Sequence, residues 1–259
     1  MSVLRFERPH QTLEPRDVAS FVAEAVREHR DGTRTVWVPA PNVSLAAAWT
    51  ALAPRHRGLL WAPPEGWSLV GAGVAREIVL ERGEGAARAK EIAETLWQRH
   101  DVVQHPEASA PPARLFGGLA FSSGSVGGSD TPWAGFGAGR FLLPRWLYAR
   151  DGGRASLGLT LASASEESDP VREVIEKLEA LARSVDPALP VGGDPDHESL
   201  PVRHEDVGCY LQAVEQIRKV IAAGDFEKIV AARCTEFDLP GPFELPIAIE
   251  RLARRAPSC

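Results

Sequence analysis

Lys228 is the ionisable residue whose setting best suits catalysis. It stands in the run Ile221-Ala-Ala-Gly224-Asp-Phe-Glu-Lys228-Ile-Val-Ala-Ala-Arg233, four residues after a glycine and followed by small and apolar side chains. A lysine ordinarily titrates near ~10.4 and accepts a proton at neutral pH only where desolvation or nearby positive charge lowers that value. In such a setting it can act as a general base. A lysine at the start of a strand is elsewhere a solvated edge charge that discourages pairing between sheets, so residue type and place leave both roles open.

Two elements must position this lysine. Val207, Tyr210, Leu211, Val214, Ile217 and Ile221 recur at the three-and-four spacing of one helix face, with Asp206 placed to cap its start. Gly224 is the expected stop, because glycine takes the left-handed conformation that closes a helix. Phe226 to Phe237 then carries strand-forming residues. A period of two puts Lys228, Val230, Ala232 and Cys234 on one face and Ile229, Ala231, Arg233 and Thr235 on the other.

The run from Ile221 to Arg233 resembles the opening motif of the chorismate-binding domain shared by isochorismate, salicylate, anthranilate and aminodeoxychorismate synthases. Water-adding members of that superfamily are similar to this chain in having lysine at the position of Lys228, where amine-adding members typically have glutamine. Two upstream segments, Arg114–Ser122 (RLFGGLAFS) and Trp133–Arg145 with Trp133, Phe136, Phe141, Leu143 and Pro144 in order, resemble the segments that precede the motif in isochorismate synthases. The long region ahead of Lys228 is more similar to the menaquinone-pathway type than to the compact siderophore-pathway type.

This resemblance implies an α+β fold of the anthranilate and aminodeoxychorismate synthase type, with mixed, mainly antiparallel sheets, outer helices and an incomplete C-terminus. Residues 1–205 would be the N-terminal α+β region, and residues 206–259 the beginning of the catalytic domain. The implied reaction is a reversible, Mg2+-dependent isomerisation of chorismate to isochorismate with Lys228 as general base. The acid glutamate and the Mg2+ ligands would lie beyond residue 259, so no metal ligand and no further cofactor-binding residue is assigned within this chain. A salicylate synthase, which would go on to eliminate pyruvate, or another chorismate-utilising enzyme is an alternative, with Lys228 speaking against an amine-adding member; a non-catalytic binding or assembly module is another, from a different class.

The rest of the sequence narrows the possibilities. Its 259 residues, 44% hydrophobic and 25% charged, suit one large globular domain or two modest ones. A net charge of -6 with scattered arginines and lysines argues against nucleic acid, which needs a basic face. No apolar run approaches the ~20 residues of a membrane span, and MSVLRFERPHQ has no signal-peptide core, so a cytoplasmic protein is expected. Nothing names a protein partner. Cys209, Cys234 and Cys259 form neither a disulfide framework nor a CxxC site and read as small buried residues.

Ahead of the motif the pattern predicts helices over Arg16–His29, Ser44–Leu52, Ala86–His100 and Ser168–Val185, with a last one over Pro246–Arg255. It predicts strands at Thr35–Val38 and Leu115–Phe121, a hairpin of Gly58–Ala62 with Trp67–Gly71, and a strand at Ala75–Leu80 that continues the same sheet. A second hairpin joins Phe141–Arg150 to Arg154–Ser163 about Asp151-Gly152-Gly153. The Gly117-Gly118 pair implies a bulge or close backbone approach, Ser122–Gly139 an ordered loop, and Asp186–Glu205 a linker. Gly71-Ala-Gly73-Val-Ala-Arg76 begins like a dinucleotide fingerprint but has arginine in place of the third glycine and a strand after it, which marks it as structural.

Overall fold

The computed structural model describes residues 15–53, 58–121, 136–162, 169–184, 202–204, 207–238 and 245–256. The expected cap at Asp206, the aromatic at Trp133, residue Cys259, most of the Ser122–Gly139 loop and most of the Asp186–Glu205 linker lie outside them. In chain order the elements are α1 (Pro15–Arg27), β1 (Thr33–Pro39), α2 (Leu45–Leu52), β2 (Gly58–Trp61), β3 (Ser68–Ala72), β4 (Arg76–Leu80), α3 (Ala86–Gln98), β5 (His100–Gln104) and β6 (Phe116–Leu119). There follow β7 (Gly139–Leu143), β8 (Trp146–Asp151), β9 (Arg154–Leu161), α4 (Pro170–Arg183), β10 (Val202–His204), α5 (Val207–Ala222), β11 (Thr235–Phe237) and α6 (Leu245–Arg255). They divide between two compact units, Met1–Pro187 with Pro246–Cys259, and Ala188–Leu245.

The first unit is built on a six-stranded sheet of order β2-β3-β8-β9-β1-β5, antiparallel throughout except where β5 runs parallel to β1. Alternation along its strands gives it two apolar faces. On one, Val36, Val38, Val70, Trp146, Tyr148, Leu157, Leu159 and Leu161 pack against Val18 and Val22 of α1, Leu52 of α2 and Val174, Leu178 and Leu181 of α4. On the other, Trp37, Leu69, Leu147 and Ala149 pack with Ala108 and with the half-buried Trp67, Ala110 and Phe116. Each large apolar side chain so removed from water contributes ~1.5–3 kcal/mol. Caps set the helix starts: the Ser44 hydroxyl accepts the Ala47 N–H at 3.1 Å and the Asp169 carboxylate that of Arg172 at 3.1 Å, with Pro170 at the first helical position of α4.

A second, three-stranded antiparallel sheet has the order β4-β7-β6. Ile78, Leu80 and Ala138 form its core, with Ala89 and Ile92 of α3 packed on them. Of the glycine pair in β6, Gly117 has the expected steric cause, since a Cβ there would run into the carbonyl oxygen of Arg140 on β7, whereas one at Gly118 would make only ordinary contact with the Phe136 ring.

The mixed, mainly antiparallel architecture with outer helices is as expected, but three local readings are corrected. Arg76–Leu80 does not continue the first sheet; it starts the second. Phe141–Arg150 is two strands in different sheets, because Pro144 has no N–H to give to a ladder and the chain turns there. Arg145, at that turn, is tied to Glu173 of α4 at 3.1 Å. Finally, α3 ends at Gln98 and His100–Gln104 forms β5, a strand hidden by its direct attachment to the helix.

In the second unit β10 and β11 pair antiparallel, Val202 with Phe237 and His204 with Thr235, so a short strand lies inside the stretch read as linker. Gly224 ends α5 as expected, with φ +84° and its N–H donated to the Ile221 carbonyl at 3.0 Å. The strand expected over Phe226–Phe237 forms only at Thr235–Phe237. A strand exists through its ladder, and the three-residue β10 reaches no further. The cysteine reading is corrected as well: Cys209 and Cys234 are exposed, because neither α5 nor the segment before β11 is packed over.

Candidate functional site

Lys228 lies between α5 and β11 and is exposed. Two backbone bonds fix the turn that delivers it, Gly224 N–H to Ile221 O at 3.0 Å and Asp225 N–H to Val220 O at 3.3 Å. Beyond the turn burial alternates over Lys228–Ala232 although no strand forms: Lys228, Val230 and Ala232 are exposed and Ile229 and Ala231 partly buried, while Glu227 and Arg233 on either side are exposed. Arg233 folds back toward α5, its guanidinium carbon 5.8 Å from the centre of the Tyr210 ring, a cation–π distance. Sequence reasoning passed over this pair, which a separation of 23 positions conceals.

Among the described residues no group of three or more His, Cys, Asp and Glu side chains could hold a metal ion. The described residues therefore do not make up a magnesium site.

A cleft of about 990 Å³ in the first unit is lined by Asp31, Arg76, Glu77, Arg88, Glu91 and Arg99 among others; Lys228 is not one of them. Its charges are largely engaged. Arg88 lies 2.8 Å from Glu91 and 3.4 Å from Glu84, and these carboxylates hold its guanidinium above the usual range, Glu91 foremost. Glu77 bonds Arg140 at 2.8 Å, and Arg76 donates to the Ala162 carbonyl at 2.7 Å. The Glu77–Arg140 pair ties β4 to β7 and Arg76 ties β4 to the end of β9, whereas the Arg88 pairs stay within α3 and the turn before it.

Two titratable groups of the same unit are displaced by their surroundings. Burial pushes the His100 imidazole down, opposed by the Asp101 carboxylate. His100 begins a polar row across three strands: Nδ1 is 2.8 Å from the Thr33 hydroxyl, Nε2 is 3.4 Å from that of Thr35, and the Thr35 and Thr160 hydroxyls are 2.9 Å apart. Burial also raises the Tyr148 phenol to about 12. Its hydroxyl lies 3.0 Å from the Pro41 carbonyl and 3.1 Å from that of Val43, and accepts the Val43 N–H at 2.9 Å, which pins the loop between β1 and α2. Both features organise the scaffold.

Comparison with known proteins agrees with this architecture. Isochorismate synthase MenF of Escherichia coli (strain K12) is 34% identical over 104 residues, 40% of this chain and 23% of that protein. The solved structure of MenF, the menaquinone-specific isochorismate synthase from Escherichia coli, shares the fold with a TM-score of 0.53 at 23% identity, over 93% of this chain and 50% of that one. The chain thus spans about half the length of the solved structure it matches. No helix among the described residues is long and apolar enough to cross a membrane. The family described as chorismate binding enzyme matches residues 20–259, nearly the whole sequence, and the chain belongs to that family.

Proposed function

We propose that this chain is part of an isochorismate synthase, an isomerase that converts chorismate reversibly to isochorismate with magnesium, and that residues 206–259 open its catalytic domain. The observation that carries this reading is the 34% identity with isochorismate synthase MenF. Lysine at position 228 supports it, since the water-adding members of the superfamily resemble this chain there.

In this reading the neutral Lys228 amine takes a proton from water as the water oxygen bonds to the substrate ring. An acid supplied by chain beyond residue 259 protonates the departing hydroxyl, which leaves as water. One water enters and one leaves, so the reaction is an isomerisation. A lysine base needs a desolvated setting, and an acid needs one that keeps it protonated, so the site has to be enclosed. Lys228 is exposed here, and enclosure falls to chain that packs over residues 226–234. When bound, magnesium would hold a substrate carboxylate and offset its charge. The family resemblance implies ligands outside this chain.

The test is product formation from chorismate and magnesium, comparing the 259-residue chain with the same chain extended through the reading frame that follows it. Isochorismate from the extended chain alone is expected. No product from either overturns the reading, and salicylate with pyruvate would assign the elimination instead.

A further inference from the structure

The segment that carries Lys228 is held against α5 at both of its ends. At the near end the backbone bonds of Gly224 and Asp225 close the helix and turn the chain. At the far end the Arg233 guanidinium carbon lies 5.8 Å from the centre of the Tyr210 ring, close to the start of α5. The helix rises about 18 Å from Tyr210 to Ala222, and an extended chain from Phe226 to Arg233 spans about 23 Å. The segment therefore runs back along the helix that precedes it, nearly matched to it in length. The partly buried Tyr210, Val214, Ile217 and Val220 mark the inward face of α5, and Ile229 and Ala231 the inward side of the segment.

The ladder with β10 fixes the chain only from Thr235 onward. Between the turn and Thr235 the phase of the alternation is set by side chains. A slip of one residue in such a segment exchanges its two faces. Arg233 stands five positions after Lys228, an odd number, so in an extended chain the two point to opposite sides. With Arg233 seated on the Tyr210 ring, Lys228 faces away from α5, in keeping with its exposure. One step out of phase, the lysine would turn toward the apolar face of the helix.

We propose that Arg233, seated on the face of Tyr210, is a positioning residue that fixes the side on which Lys228 is offered to the substrate. The proposal rests on the reading of Lys228 as general base. Arg233 itself takes no part in proton transfer; it acts through the phase of the segment between the Gly224 turn and β11. A lysine on the wrong side leaves substrate binding intact and withdraws the base, so the loss falls on kcat and spares KM.

The experiment measures kcat and KM for chorismate with magnesium in the chain extended through the following reading frame. Arg233→Ala and Tyr210→Leu should each lower kcat about tenfold and leave KM within about twofold. The two together should cost no more than either alone, because they remove one contact. Tyr210→Phe keeps the ring face and should retain most of kcat. Unchanged turnover in Arg233→Ala overturns the proposal, as do multiplied losses in the double variant or a Tyr210→Phe as impaired as Tyr210→Leu. The amides of β1, β8 and β9 should exchange equally slowly in every variant; loss of that protection would make the pair structural and overturns the proposal as well. No isochorismate from the unsubstituted extended chain brings down the reading of function and this proposal with it, whereas full turnover in the variants brings down the positioning role alone.

Discussion

A single side chain acts through the water it keeps or loses, and three residues show this in different ways. Lys228 is exposed in this chain, so replacing it removes no packing. In the complete enzyme Lys228→Ala is expected to lower turnover of chorismate by ~10²–10⁴, and in the 259-residue chain, where the side chain is exposed, its thermal midpoint should hardly move, as for most surface substitutions. Turnover retained in a folded variant would remove the lysine from the mechanism. Tyr148 is the opposite case, a buried hydroxyl with three backbone partners. Tyr148→Phe leaves those groups short of a partner and should cost ~1–3 kcal/mol in urea unfolding. His100 responds to pH: burial holds its folded value below the ordinary 6.5, so the unfolded chain binds the proton more readily. Its contribution to stability is complete above about pH 6.5 and is lost as the pH falls through the lower folded value. The urea midpoint should therefore drop between about pH 7.5 and about pH 5, and drop less in His100→Asn. Equal slopes in the two proteins would show that the titration lies elsewhere.

At the scale of elements, local rules succeeded where an element carries its own signal. The three-and-four stripes of α1, α4 and α5, the Ser44 and Asp169 starts, the Gly224 stop and the turn between β8 and β9 all depend on neighbours a few residues apart. Those rules failed where the partner decides. His100–Gln104 becomes a strand because β1 accepts it in parallel register, and residues 226–234 do not because no described strand reaches them. Similar apolar stripes on α4 and α5 consequently have different worth. Leu178, fully buried between α4 and the sheet, should cost ~2–5 kcal/mol as Leu178→Ala, whereas Leu211→Ala in the 259-residue chain should change stability by less than ~0.5 kcal/mol. Urea unfolding of the two variants checks this, and a large loss at Leu211 would mean that α5 is packed in solution. Loss of the α4 packing would loosen the helical face of the six-stranded sheet as a whole.

For the whole molecule, stability is unevenly shared. All three apolar clusters belong to the unit formed by Met1–Pro187 with Pro246–Cys259, so the amides of β1, β8 and β9 should exchange slowest and those of α5 fastest in the 259-residue chain. Exchange measured peptide by peptide tests that order. By itself the sequence determined the helices, the turns, the fold class and the family motif about Lys228, because periodicity, caps and a short motif are properties of adjacent residues. It did not determine which strands share a sheet, the break at Pro144, the seating of Arg233 on Tyr210 or the exposure of Lys228. Only tertiary structure decided these, because each depends on groups far apart in the chain and on whether a partner is there to cover them.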